Sequence, residues 1–225
     1  MKGLIAAVAL FFSFNSYGLV IYSNDDGTSD QALGCFGPCG IDFWWAQGFS
    51  EQAAGNVITS IDIAYGSPLL PGSNPANGTP ISLYVYDDPT NDLNPTDAVL
   101  LAMFSTTVMN SGTDTFNSIA ITPTMITGDF FVAALIRNID EIGVAPIDQT
   151  TDANASWLAG GTNLDPNNLT GTDDIFPLST TTSNFVPGNW LLRAVGEQGS
   201  APVPIPATLM LFGIGLVALR LARRR

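Results

Sequence analysis

Apolar and polar residues alternate with a period of two along most of the chain. The segments 57–65 (VITSIDIAY) and 81–88 (ISLYVYDD) each place β-branched, leucine or aromatic residues at every second position. Successive side chains of a strand point to opposite faces of the sheet, so this period predicts β-strands. Further strands are predicted in an apolar run at 98–108 and at 116–121, 128–136 and 189–196 (FNSIAI, GDFFVAALI and NWLLRAVG).

The segments between these strands are rich in residues that form turns. Glycine and asparagine tolerate a positive φ and proline fixes φ, so stretches such as 67–80 (SPLLPGSNPANGTP) and 87–95 (DDPTNDLNP) separate one strand from the next. About seven to ten short strands of this kind predict an all-β fold, an antiparallel β-sandwich of jelly-roll type. At residues 98–109 a helix capped by Asp97 is an open alternative.

Each end of the chain carries a hydrophobic segment of its own. Residues 1–18 fit a secretory signal peptide, with a lysine at position 2, an apolar stretch, and small residues at 16 and 18 before the cleavage site. A first hydrophobic strand is the alternative. At the other end, a Pro-rich linker (198–206) precedes a hydrophobic sorting or anchor helix with an arginine cluster (207–225). The β-sandwich domain is therefore expected to span residues 19–197.

The C-terminal helix is short for a membrane span. Its strongly apolar part, residues 207–219, would be roughly 20 Å long as a helix, whereas the hydrocarbon core of a bilayer is about 30 Å thick. Prolines at 202, 204 and 206 stop a helix from continuing upstream, and the terminal arginines favour the cytoplasmic side. These features favour a membrane-held sorting signal over a permanent anchor or a core helix of the domain.

The tail reads VPIPATLMLFGIGLVALRLARRR, which combines a Pro-x-Pro motif, an apolar segment with two glycines, and a terminal basic cluster. In this order of parts it resembles the PEP-CTERM sorting domain of Gram-negative bacteria. Isoleucine stands where the family name implies glutamate. The matching residues are Val203, Pro204, Ile205, Pro206, Ala207, Gly213, Gly215, Arg223, Arg224 and Arg225.

The resemblance implies a route for the protein. Members of the family are thought to be exported by the general secretory pathway, held in the inner membrane by the tail, and processed by an exosortase, a membrane transpeptidase. They are associated with exopolysaccharide and biofilm matrix, so the expected destination is the cell surface or the extracellular space. The expected partners are the exosortase, the membrane before processing, and polysaccharide.

The charges are distributed unevenly and exclude several functions. Residues 19–202 contain 20 acidic and two basic residues, a formal charge of −18, and the chain has no histidine. Such a surface repels phosphate backbones, so no nucleic-acid partner is expected. Without histidine, a Ser-His-Asp or Cys-His arrangement and the usual zinc sites cannot form. We therefore expect a protein that is not an enzyme, with a carboxylate-based glycosidase as the least favoured alternative.

Cys35 and Cys39 are the only cysteines, and export to an oxidising compartment predicts that they form a disulfide. The Gly-Pro pair between them favours a tight turn that brings the thiols together. Closing so small a loop removes little entropy from the unfolded chain, so the expected role is a structural staple of modest strength.

Two kinds of ligand are suggested by the central part of the chain. Carboxylates and amides crowd into loops, most densely around Asp87, Asp88 and Asp92, and calcium prefers such oxygen ligands. Because Asp and Asn also form ordinary turns, a turn without a cation is the alternative. Carbohydrate binding is the other hypothesis: Trp44 and Trp45 are neighbours, so in a strand at least one of them would face solvent.

The leading hypothesis is a secreted, surface-sorted, non-enzymatic β-sandwich protein, a component of extracellular matrix or biofilm that an exosortase processes. The alternative is a carbohydrate-binding module assisted by calcium. An exposed tryptophan on a concave sheet face would favour the binding module, whereas burial of every aromatic ring would count against it.

Overall fold

The computed structural model of the protein describes residues 18–35, 39–169, 175–178 and 187–199. Apart from residues 18, 198 and 199, the predicted signal peptide, linker, C-terminal helix and sorting motif lie outside these ranges. The strands are β1 (Val20–Tyr22), β2 (Gln31–Leu33), β3 (Ile41–Phe49), β4 (Val57–Ile63), β5 (Pro80–Asp87), β6 (Val99–Thr107), β7 (Asn117–Met125), β8 (Phe130–Ile139), β9 (Ala145–Asp148), β10 (Ser156–Gly161), β11 (Ile175–Pro177), β12 (Asn189–Trp190) and β13 (Leu192–Glu197). A 3₁₀-helix (Pro95–Asp97) precedes β6.

The strands form three antiparallel sheets. The four-stranded sheet has the order β1-β13-β4-β7, the six-stranded sheet β11-β10-β3-β8-β5-β6, and the three-stranded sheet β12-β9-β2. The predicted all-β fold, an antiparallel β-sandwich of jelly-roll type, is confirmed. The ranges that the structure describes hold thirteen strands where about seven to ten were predicted, because several strands have only two or three residues.

The four-stranded and six-stranded sheets bury the main core between them. Ile61 of β4 and Leu192 of β13 belong to the same apolar cluster as Trp45 of β3, Leu83 of β5 and Val132 of β8. All five are buried. Burying a large apolar side chain contributes roughly 1.5–3 kcal/mol, so this layer supplies most of the driving force for folding.

The outer face of the six-stranded sheet is buried as well. Loop residues Leu93, Leu164 and Leu169 pack there against a second cluster that includes Trp44 and Phe131. Because both faces of the sheet are covered, β3 and β8 are buried at nearly every position instead of at every second one. The edge strand β6 keeps the alternation of exposed and half-buried residues.

The helix considered for residues 98–109 is wrong. Residues Val99–Thr107 form β6, which pairs with β5 along its whole length, and Asp97 ends the 3₁₀-helix that precedes it. The alternation of this segment fits a strand at the edge of a sheet. One set of side chains is half-buried, and the set on the opposite face is exposed to solvent. In the ranges described, no helix has the length and apolar character needed to cross a membrane.

Cys35 and Cys39 form a disulfide shortly before β3, as predicted. Their Cα atoms are 6.2 Å apart. The backbone N–H of Cys35 donates a hydrogen bond to the carbonyl oxygen of Glu141 at 2.8 Å. The staple therefore lies against the connection between β8 and β9 and fixes the chain at the entry to β3.

Candidate functional site

Three carboxylates meet in the loop between β5 and β6. In this acidic loop, residues 88–97, one oxygen each from Asp88, Asp92 and Asp97 lies within 4.8 Å of the other two. Asp88 is buried, Asp97 is half-buried and Asp92 is exposed. The cluster therefore runs from the interior of the molecule to its surface.

The local structure of the loop explains why the carboxylate of Asp97 lies near that of Asp88, although the two residues are nine positions apart in the sequence. Asn94 caps the 3₁₀-helix by accepting a hydrogen bond from the backbone N–H of Thr96 at 3.1 Å, and Pro95 follows it at the first helical position. Proline there has a φ already suited to the helix and loses no hydrogen bond. The turn of the 3₁₀-helix brings Asp97, its last residue, back toward Asp88.

The acidic loop is tied to the body of the domain. The backbone N–H of Asp88 donates to the carbonyl oxygen of Asp129 at 2.9 Å, and the indole N–H of Trp157 donates to the carbonyl oxygen of Leu93 at 2.9 Å. Leu93 has a φ of 57°, in the left-handed region that a non-glycine residue rarely occupies. Such a conformation persists where its surroundings determine it.

The hydrogen bonds in the acidic loop do not neutralise its carboxylates. The Thr90 hydroxyl lies 3.2 Å from Oδ1 of Asp88 and 2.9 Å from Oδ2 of Asp97. A hydroxyl has one hydrogen to donate, so it serves one of these oxygens at a time. The other oxygen of Asp97, Oδ1, is buried and has no hydrogen-bond partner in the structure. This carboxylate is therefore incompletely satisfied by the protein.

The basic side chains lie elsewhere. In the ranges that the structure describes, the basic residues are Arg137 and Arg193, and each forms an ion pair outside the acidic loop. Arg137 pairs with Asp42, and Arg193 pairs with Asp25. Three neighbouring carboxylates without a basic side chain repel one another, and a hard cation with oxygen ligands would relieve that repulsion.

One of the predicted metal ligands is wrong. Asp87 does not join Asp88 and Asp92, because neighbouring residues at the end of a strand point to opposite sides. Its carboxylate instead accepts hydrogen bonds from the backbone N–H and the hydroxyl of Thr127, at 3.1 and 3.0 Å. Asp97 takes its place in the cluster. The Asn-Pro pair at 94–95 is the sequence signal of the turn that returns Asp97.

A second concave region, the outer groove, lies where the loops leave the outer face of the six-stranded sheet open. Its volume is about 610 Å³. Ser82, Tyr84, Met103 and Arg137 contribute strand residues to it, and residues 163–167 form one wall. Asn163, Asp165 and Asn167 in this wall are exposed.

The wall of the outer groove is held in place by an ion pair. Arg137 pairs with Asp42 and also donates from Nη2 to the carbonyl oxygen of Leu164 at 3.2 Å. The backbone N–H of Leu164 donates to Oδ2 of Asp42 at 3.1 Å. The backbone N–H and the amide of Asn167 donate to Asp165, and these bonds lower the pKa of the Asp165 carboxyl. Asp165 is therefore ionised at neutral pH.

Neither predicted sugar-stacking residue is available at the surface. Trp44 and Trp45 are each 1% exposed, so the prediction that one of them faces solvent is wrong. Trp45 lies in the main core, and Trp44 lies in the cluster beneath the loops on the outer face. Alternation did place the two rings on opposite sides of β3, but both sides of that strand are covered.

Structures similar to this fold are known, although no family model matches the sequence and no curated protein sequence matches it. A variant of the clostridial cysteine protease Cwp84 after propeptide cleavage aligns with a TM-score of 0.50 and 14% identity, covering 80% of this chain and 40% of that one. A structure titled as the cysteine protease and lectin-like domains of Cwp84, a surface-layer-associated protein of Clostridium difficile, aligns with a TM-score of 0.48 and 15% identity. That alignment covers 80% of this chain and 36% of the other. At these identities the likeness concerns the fold, and the chain spans less than half of either protein.

Proposed function

We propose that this is a secreted, surface-sorted, non-enzymatic β-sandwich protein of an extracellular matrix, delivered as the substrate of an exosortase. The observation that carries the proposal is the tail from Val203 to Arg225, joined to an acidic β-sandwich that contains a disulfide. A disulfide suits an oxidising, extracellular setting. The domain between signal peptide and tail would be the part that remains after processing.

The buried position of Asp88 argues against the acidic loop as a glycosidase centre. Its side chain is 1% exposed, and its Oδ2 accepts a hydrogen bond from the backbone N–H of Leu93 at 2.7 Å. A glycosidase needs two carboxyl groups that both reach the glycosidic bond from a cleft. In the acidic loop, the innermost carboxylate is out of reach of a substrate.

Intact mass spectrometry of the protein from the surface of its native host tests the sorting proposal. We expect a mass that lacks about the first 18 residues and also lacks the segment after Pro204, as signal-peptide and tail processing would produce. A Pro204→Ala and Pro206→Ala double variant should accumulate with its tail intact. A Pro71→Ala variant, altered in an exposed loop of the domain, is the matched control and should be processed normally. Wild-type protein that retains Arg225 would contradict the proposal.

A second proposal concerns calcium, which the acidic loop is suited to hold. Asp88, Asp92 and Asp97 would supply carboxylate oxygens, and calcium takes six to eight oxygen ligands in flexible geometry. The specific observation that favours it is the buried, unpartnered Oδ1 of Asp97 beside two other carboxylates. A bound cation would fix the loop whose Leu93 covers the outer face of the six-stranded sheet.

Titration calorimetry with calcium chloride tests the second proposal directly. We expect one binding event on protein stripped with a chelator, and we expect Asp97→Asn to abolish it. Asp152→Asn is the matched control, because Asp152 is likewise an aspartate outside the strands but lies in a different loop, where it accepts a hydrogen bond from the backbone N–H of Asn154. Binding that survives in Asp97→Asn, or no binding at all, would contradict this use of the loop.

A further inference from the structure

We propose that the outer groove binds a segment of an uncharged polysaccharide. The inference rests on the proposed function as a matrix protein and names the partner and the site. It uses neither Trp44 nor Trp45, so it differs from the sugar-stacking site that the sequence predicted.

The position of the outer groove makes it accessible to a long chain. In the ladder between β5 and β6, Ser82 lies opposite Ser105 and Tyr84 lies opposite Met103. Met103 is 57% exposed and Ser105 is also exposed, so the floor of the groove continues to the free edge of the sheet. A groove that is open at an edge admits an internal segment of a polymer as well as its end. Its volume of about 610 Å³ lies within the range of roughly 300–1,000 Å³ typical of ligand sites.

The polar groups of the groove match the chemistry of sugar hydroxyls. A hydroxyl donates one hydrogen bond and accepts two, so it is best met by donors and acceptors side by side. Arg137, with a side chain 53% exposed, supplies donors, and the ionised Asp165 supplies acceptors. The exposed amides of Asn163 and Asn167 supply both. The ion pair with Asp42 and the bonds to Leu164 hold these groups in place before any ligand arrives.

The charge of the domain favours an uncharged polymer over a polyanion. Residues 19–202 carry a formal charge of −18, which repels a polyanion at low and moderate ionic strength. Arg137, the basic residue of the groove, is already paired with Asp42. A cation is the competing ligand for Asp165, but that carboxylate stands alone in the groove wall, without a second acidic residue from 163 to 167.

Affinity electrophoresis in gels that contain a polysaccharide tests this inference. The protein recovered from the surface of its host would be run in gels with laminarin, dextran or hydroxyethylcellulose, which are uncharged, and with alginate, a polyanion. We expect retardation by at least one uncharged polymer and none by alginate. No retardation by any uncharged polymer, or retardation by alginate alone, would overturn the inference.

Two pairs of matched variants locate the binding. Asn163 and Asn154 are exposed and both have a positive φ, 61° and 54°, so glycine replaces either without strain. We expect Asn163→Gly to weaken binding about fivefold, as loss of a hydrogen-bonding group would, and Asn154→Gly to leave it unchanged. Asp165→Asn should weaken binding by a similar factor, whereas Asp152→Asn should not.

The outcomes separate this inference from the proposed function. Binding that both groove variants leave intact would place the site elsewhere and overturn the inference. Complete loss in Asp165→Asn, with retardation that a chelator also removes, would identify a cation instead and would overturn it too. Neither result bears on the mass of the processed protein, which tests the sorting proposal separately.

Discussion

Two buried carboxylates in this protein have opposite electrostatic surroundings. The side chain of Asp25 is 0% exposed and accepts a hydrogen bond from Nε of Arg193 at 3.0 Å. The guanidinium of Arg193 also lies 4.0 Å from the centre of the Phe116 ring. Asp88 is 1% exposed, but the charged groups that cluster with it are two further carboxylates, those of Asp92 and Asp97.

The difference lies in where the compensating charge comes from. Removing a carboxylate from water costs several kcal/mol, which an ion pair with good geometry offsets. At Asp25 the fold supplies the cation permanently. At Asp88 the fold supplies backbone N–H and hydroxyl donors, and the proposed calcium would come from solution. The stability of the fold should therefore depend on Arg193 at the Asp25 site and on the calcium concentration at the Asp88 site.

The largest expected effect is at the Asp25 site. Arg193→Met keeps most of the side-chain volume but leaves Asp25 buried without its partner, so we expect a loss of about 3–5 kcal/mol in the free energy of unfolding. Urea denaturation measures this loss. Adding Asp25→Asn to Arg193→Met should recover part of it, because the unpaired charge is removed.

Arg137→Met is the matched control for that experiment. The Arg137 side chain is 53% exposed, and Asp42 keeps hydrogen bonds from the backbone N–H groups of Asn138 and Leu164. We expect a loss of about 1 kcal/mol or less. Equal losses in the two variants would mean that burial does not distinguish the two ion pairs.

The next largest effect is the response to calcium. A ligand that binds the folded state stabilises it by about 2.7 kcal/mol when its concentration is one hundred times Kd. We expect thermal unfolding in calcium chloride to occur at a higher temperature than in chelator, and we expect Arg193→Met to shift by the same amount. A calcium response that Asp97→Asn retains would contradict the acidic loop as its source.

Alternation along the chain predicted the strands well where one face of a sheet is open. The segment that begins at Val57 is β4, and the run that begins at residue 98 is β6, which still alternates between exposed and half-buried positions. The expectation that Trp44 or Trp45 faces solvent was wrong because Trp45 lies in the main core and loops from residues 93 and 164–169 cover Trp44 on the other face of the sheet. Local periodicity contains no information about a loop that covers a face from far along the chain.

The candidate site was predictable only in part, because sequence patterns are local and the site depends on how the chain turns. The density of carboxylates predicted that Asp88 and Asp92 lie close together, and their oxygens do lie within 4.8 Å of each other. Choosing between Asp87 and Asp97 required the direction of a side chain at a strand end and the turn of the 3₁₀-helix. The outer groove brings together residues of β5, β6, β8 and the loop after β10, so no contiguous motif marks it.

A smaller effect of opposite sign is expected at the acidic loop without calcium. Asp97→Asn removes one of three mutually repelling charges, so we expect it to raise the free energy of unfolding by about 1 kcal/mol in chelator. Asp152→Asn, measured in the same urea titration, should change stability little. If Asp97→Asn destabilises the protein in chelator, repulsion among the three carboxylates does not lower the stability of the folded state as we infer.

The smallest effect concerns Asp26, which adjoins the Asp25 site. Hydrogen bonds from the hydroxyl and backbone N–H of Thr28, at 2.7 and 2.9 Å, lower the pKa of the Asp26 carboxyl, with smaller contributions from Thr150 and Arg193. A lowered pKa adds stability that is present above the unfolded-state value, near 3.8, and is lost as pH falls through the folded-state value.

Thr28→Val removes the hydroxyl and keeps the backbone donor. We therefore expect the Asp26 pKa to rise toward its ordinary value without reaching it, which carbon-detected NMR titration of the carboxyl group would show. Arg193→Met should raise the same pKa less than Thr28→Val does, because the charge of Arg193 is the smaller contributor. The reverse order would mean that Arg193 governs both aspartates, and the contrast with the acidic loop would then extend beyond a single ion pair.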